Sequence, residues 1–119
     1  MLTKEQMLER SKRKIEEVKV KAWDDEIVYL RGMTGADRNS FLITAKDHKR
    51  STPKKYVINE AIYAHELVAR CLCDENGKRL FSDDESDLVG GFPSEVIDQL
   101  MAVAQRLSGL DGDEEAEKN

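Results

Sequence analysis

Residues 18–30 read VKVKAWDDEIVYL, and the period along this stretch decides the fold class. Val18, Val20 and Ala22 alternate with Lys19 and Lys21. A two-residue repeat places neighbouring side chains on opposite faces, which marks a half-buried strand and not a helix. Trp23 ends the run, Asp24-Asp25-Glu26 reads as a turn, and Ile27-Val28-Tyr29-Leu30 is β-prone through branched and aromatic side chains. An antiparallel hairpin over about 18–33 is expected, with Lys19 and Lys21 on its wet face. Two strands alone are marginal in water, so the hairpin has to lie on other elements.

Those elements flank it on both sides. Thr3 and Gln6 have the spacing of a capping box, which predicts a helix over 3–17. Its apolar positions are sparse and its charges alternate in sign, the pattern of a solvent-exposed helix. Thr34 and Asp37 form a second such box ahead of a helix over about 35–46. Residues 47–55 are polar and basic around Pro53, which predicts a loop. Residues 56–73 carry the strongest helical pattern: Val57, Ala61, Ala64, Val68, Cys71 and Leu72 share one face. Only Asn59, Glu66 and Arg70 make a polar strip on it. Asp74-Glu75-Asn76-Gly77 is a turn, Arg79-Leu80-Phe81 is short and extended, and Ser82-Asp83-Asp84-Glu85 is a third capping box. Gly90-Gly91 ends that short helix, and a final helix over about 94–108 presents Val96, Ile97, Leu100, Met101, Val103, Ala104 and Leu107 on one face. The fold class is therefore α+β: a helix-rich single domain over 1–110, with the hairpin packed on helices 35–46, 56–73 and 94–108. Residues 111–119 form an acidic tail with one apolar residue, expected to be disordered.

Composition bounds the function. A chain of 119 residues supports one modest core. With 36% charged residues and no apolar run approaching the ~20 residues of a membrane span, a soluble cytoplasmic protein is expected. Residues 1–60 carry a net charge of +4 and residues 61–119 a net charge of −9. That split favours head-to-tail association or a partner of mixed charge, and it equally fits a solvated surface with an acidic tail.

The chemical motifs are weak. Asp74, Asn76 and Glu85 fall at positions 1, 3 and 12 of a calcium loop, yet Arg79 stands where the loop needs glycine and Lys78 precedes it. Cys71, Cys73, His48 and His65 are the soft metal ligands, and Cys71 and Cys73 diverge if both lie on one helix. No nucleophile elbow, phosphate-cradling loop or zinc-protease motif is present. No cofactor, no metal and no catalytic residue is expected. The basic loop 46–55 can touch phosphates, but the chain is acidic overall, which argues against a nucleic-acid reader.

The order of elements adds a further reading. The strand ending in Trp23, the strand Val28-Tyr29-Leu30-Arg31 and the segment Thr34-Gly35-Ala36-Asp37-Arg38 resemble the opening of tail assembly chaperones of long-tailed bacteriophages. The middle is similar too, with Leu72-Cys73-Asp74-Glu75-Asn76-Gly77, Leu80-Phe81 and Ser82-Asp83-Asp84-Glu85. So is the end, with Leu107-Ser108-Gly109-Leu110 ahead of an acidic terminus. The resemblance runs from about residue 18 onward and leaves out the helix over 3–17 and the loop 46–55. It implies a non-enzymatic protein that binds the tape measure protein in the host cytoplasm, self-associates, and is absent from the finished virion. It also implies a longer frameshifted form that recruits tail tube protein. Lys118-Asn119 is compatible with a slippery codon string for that shift.

Partner or oligomer contacts are expected on the apolar helical faces, at Ile58, Ile62, Tyr63, Leu67, Val96, Leu100, Val103 and Leu107. The family-like residues Trp23, Tyr29, Arg31, Thr34, Gly35, Arg38 and Phe41 are expected to be structural. Two other functions compete: a small bacterial adaptor with a different client, and a nucleic-acid-binding regulator using loop 46–55.

Overall fold

The computed structural model describes residues 1–110; the acidic tail and the frameshift position lie outside the described residues. The hairpin forms where the two-residue period places it. Strand β1 (Ile15–Val20) pairs antiparallel with β2 (Glu26–Arg31), with Val18 opposite Val28 and Val20 opposite Glu26. A 3-10 turn at Lys21–Trp23 and two left-handed residues, Asp24 and Asp25, close the loop. Lys21 is thus exposed in the turn and not on a strand.

Two helical boundaries differ from the sequence reading. Helix α1 (Lys4–Arg10) carries its Thr3–Gln6 capping box but ends seven residues early. Ile15-Glu16-Glu17 extends β1 instead, because Ile15 and Glu16 pair with Arg31 and Leu30. Pairing with a partner strand outweighs a helical pattern that offered few apolar contacts.

The second difference is larger. Helix α3 covers Tyr63–Cys71 and not 56–73. Residues before it are tied back to the end of α2 (Gly35–Thr44), through Asp47 N–H to the Val57 carbonyl at 2.8 Å and Asn59 N–H to the Ala45 carbonyl at 2.7 Å. Beyond it, Leu72–Cys73 is a third strand, β3, in which Leu72 pairs with Leu30 and Cys73 with Tyr29. Cys73 consequently leaves the helix that carries Cys71.

The sheet order is β1-β2-β3, and Val18, Val20, Leu30 and Leu72 are buried on one face. Helix α5 (Ser94–Leu107) crosses that side: the Gln99 amide donates to the Lys19 carbonyl at 2.7 Å and accepts from Lys21 N–H at 3.2 Å. Arg106 pairs with Glu16 at the far end. Helix α4 (Ser86–Gly90), entered through the Ser82–Glu85 capping box, and α2 close around α3. The result is a central α3 with neighbours on every side, so its polar strip is not a solvent face. Glu66 and Arg70 are both buried.

Candidate protein-interaction surfaces

Three features organise the molecule: a buried polar chain, a half-covered apolar seam and an uncovered N-terminal helix. The buried chain begins with the Glu66–Arg70 spacing, which puts both side chains on one side of α3. Arg70 Nη1 meets Glu66 Oε2 at 2.6 Å, and Ser86 Oγ donates to Glu66 Oε1 at 2.7 Å. Arg70 Nη2 donates to Ser40 Oγ at 2.8 Å and lies 3.7 Å from Asp83 Oδ2. Arg79 joins Asp83 at 2.8 Å to Asp37 at 3.4 Å, and Asp37 in turn holds Arg31 at 3.0 Å. This network links α2, α3, β2 and the segment before α4.

Its carboxylates are tuned accordingly. Burial works to raise the Asp37 pKa, but hydrogen bonds from Thr34 and Arg31 outweigh it and hold the group below its ordinary 3.8. At Asp83 the Ser40 hydrogen bond, aided by Arg79 and Arg70, also holds the carboxyl below 3.8.

His65, Glu66 and Asp87 bring ligand atoms within 4.8 Å of one another. Both Glu66 oxygens are already engaged by Arg70 and Ser86, and the Arg70 cation opposes a metal ion there. Burial pushes the Cys71 thiol up to about 11, so at neutral pH it is a protonated core residue. Asp74 Oδ1 accepts the backbone N–H groups of Asn76 and Lys78, an Asx turn in place of a calcium loop.

Exposed apolar surface lies elsewhere. Leu42 and Ile43 on α2, with Tyr56 and Ile58 on the returning segment, are all exposed, Ile43 at 69%. The Tyr56 hydroxyl donates to the Leu42 carbonyl, and Ile58 bridges Lys46, so a seam forms where the returning segment meets the C-terminal end of α2. A cleft of ≈ 660 Å³ opens beside it, lined by Arg50, Lys55, Tyr56, Val57, Ile58 and Glu60. Loop 46–55 is folded back on itself: Arg50 pairs with Asp47 at 2.8 Å, and Thr52 bridges Lys55.

The expected contact residues separate into two groups. Leu67, Val96 and Leu100 are 0% exposed within this chain, where the apolar faces of α3 and α5 bury each other. Tyr63, Val103 and Leu107 pack against that core from its edge, Tyr63 edge-on to Phe41 at 5.4 Å between ring centroids. Ile62 is half-buried, and Ile58 remains exposed.

Among the family-like residues, Trp23 packs edge-on against Phe92 at 5.2 Å, and Phe41 is buried. Tyr29 pairs with Cys73, Arg31 belongs to the polar chain, and Thr34 caps α2. Gly35 and Arg38 are exposed.

Curated proteins give no match. Among solved structures the fold resembles that of the tail assembly chaperone of bacteriophage HK97, with a TM-score of 0.57 and 21% identity over 80% of this chain and 85% of that one. The model of the phage tail assembly chaperone family matches residues 4–119, including the N-terminal helix that the sequence resemblance left out. The chain belongs to the phage tail assembly chaperone family.

Proposed function

We propose that this chain is a non-enzymatic chaperone that binds the tape measure protein of a long-tailed phage in the host cytoplasm and keeps it soluble until the tail tube grows around it. In this reading the protein self-associates, is absent from the finished virion, and recruits tail tube protein through a longer frameshifted form. Family membership supports the role, and one observation carries the client contact. Leu42 and Ile43 at the end of α2, with Tyr56 and Ile58 on the segment that returns to it, leave apolar side chains in water at this seam. Arg50, Lys55 and Glu60 flank it, so an amphipathic helical client can bury its apolar stripe and still satisfy charges of either sign.

The test is co-expression with the tape measure protein, scored by solubility and co-purification. The wild-type chain is expected to hold the client in the soluble fraction. Ile43→Gln combined with Ile58→Gln is expected to lose it while the chain still unfolds cooperatively, since both side chains are partly or largely in water. A client that is equally soluble without the chaperone overturns the function. Full client binding by the double variant overturns the placement alone.

A further inference from the structure

An open cleft of ≈ 480 Å³ lies between the segment that enters β1 and the turn that follows β3, with Lys12, Arg13, Ile15, Arg31, Asn76 and Gly77 in its lining. The described residues that line it include three cations and no carboxylate. Arg31 is paired with Asp37, and Lys12 with Glu9 at the surface. Arg13 donates to the Leu107 carbonyl at 3.3 Å, a neutral partner that leaves the guanidinium charge uncompensated. Residues 10–14 hold four cations and no anion, and all five are exposed. Among the described residues, Arg10, Arg13 and Lys14 enter no ion pair.

The Arg13 contact also fixes where the acidic C-terminal segment begins. Leu107 ends α5; Arg13 holds its carbonyl, and the next residue, Ser108, accepts the Met33 N–H at 3.1 Å. A methyl group built on Gly32 would strike both the Leu107 carbonyl oxygen and the Arg13 guanidinium, so the end of α5 lies tight against the cleft rim. Gly109 then takes a φ of +74°, which ends the helix, and Leu110 packs on the core. Residues 111–119 follow, with five anions and one cation. From Leu107 to Asp111 an extended chain covers at most about 14 Å, and the nine residues beyond Leu110 span up to about 30 Å. Arg13 and its cationic neighbours stand within that reach.

We propose that residues 111–119 fold back on their own molecule and lie along this cleft and the 10–14 segment, their carboxylates facing Arg10, Lys12, Arg13 and Lys14. Five anions meet four cations, which is the charge complementarity the cleft lacks among its own lining residues. Tethering selects this occupant over an acidic segment of another molecule, because a short linker holds it at an effective concentration on the order of mM. Part of the charge split between the two halves of the chain is then neutralised within one molecule. The contact also masks the cationic face, so an anionic partner has to displace the segment first. The seam at the end of α2 is not part of the contact, and the proposal does not depend on the client reading.

Paramagnetic relaxation in the full chain tests it, with a nitroxide on Ala116→Cys; Cys71 and Cys73 are buried, and the parent chain treated with the same reagent checks that they stay unlabelled. The amide signals of Ser11, Lys12, Arg13, Lys14 and Gly77 are expected to lose about half or more of their intensity at 0.1 M salt and to regain it at 1 M, as the Debye length falls from about 10 Å to about 3 Å. Neutralising the segment with Asp113→Asn, Glu114→Gln, Glu115→Gln and Glu117→Gln is expected to remove the loss, and so is Lys12→Glu with Lys14→Glu. Loss of signal that ignores salt and both sets of substitutions overturns the contact, because tethering alone then explains it. Loss confined to other residues, or none at all, overturns it too. An isotope-labelled chain without nitroxide, mixed with an unenriched spin-labelled one, is expected to keep its full signal. Equal loss in that mixture overturns the intramolecular placement and assigns the segment to a second copy.

Discussion

At the scale of single residues, Arg70 is the side chain on which most depends. It is 0% exposed and joins Glu66, Ser40 and Asp83. Removing one partner of a buried pair leaves the other charge unpaired, so Arg70→Ala is expected to lower unfolding free energy by about 3–5 kcal/mol in urea titration. Replacing both partners, Arg70→Met with Glu66→Met, is expected to recover most of the loss. Recovery failing in the double variant would show that Ser40 and Asp83 need the guanidinium independently of Glu66. The same network sets the acid limit. Asp37 and Asp83 have folded pKa values below 3.8, so their stabilisation is present above the unfolded value and disappears as pH falls through the folded one. The urea midpoint is expected to drop from about pH 4 downward, and Asp37→Asn is expected to flatten that drop. An Asp37→Asn variant with an unchanged acid profile would assign the drop to other groups.

At the scale of elements, close approach of backbone to backbone decides how the sheet meets α5. A methyl group built on Gly32, just after β2, runs into the Leu107 carbonyl oxygen and the Arg13 guanidinium. Arg13 donates to that carbonyl, and Met33 N–H bonds Ser108 Oγ at 3.1 Å, so the junction cannot open at one point alone. Gly32→Ala is expected to cost about 1–3 kcal/mol, read as a lower thermal midpoint. Retained stability would mean that the end of α5 moves freely. The three capping boxes, at Thr3, Thr34 and Ser82, form as their spacing predicts, because a cap is a contact between residues three apart and needs no tertiary partner. The end of α3 was not legible in this way. Leu72 and Cys73 continue an apolar helical pattern, and only the free edge of β2 turns them into a strand.

At the scale of the whole molecule, the core is built from β1 through α5, and α1 stands apart from it. Deleting residues 1–10 is expected to leave the stability of the remaining chain within about 0.5 kcal/mol, measured by thermal or urea unfolding at a dilution where the protein is monomeric. A large loss would place α1 in the fold and not on its surface. Among the described residues no helix is long and apolar enough to cross a membrane.

The sequence by itself determined whatever depends on near neighbours: the hairpin over 18–30, the capping boxes, the turns at Gly77 and Gly109, and the apolar face of the last helix. The order of those elements sufficed to point to the family. Tertiary structure decided which apolar residues are spent inside. Leu67, Val96 and Leu100 read as well for an interface as for a core, because hydrophobicity is non-directional and a helix face does not name its partner. The Glu66–Arg70 pair looked like a wet strip for the same reason. Its burial follows only once α2, α4 and α5 enclose α3 and supply the hydroxyls and carboxylates that a charge needs in order to leave water.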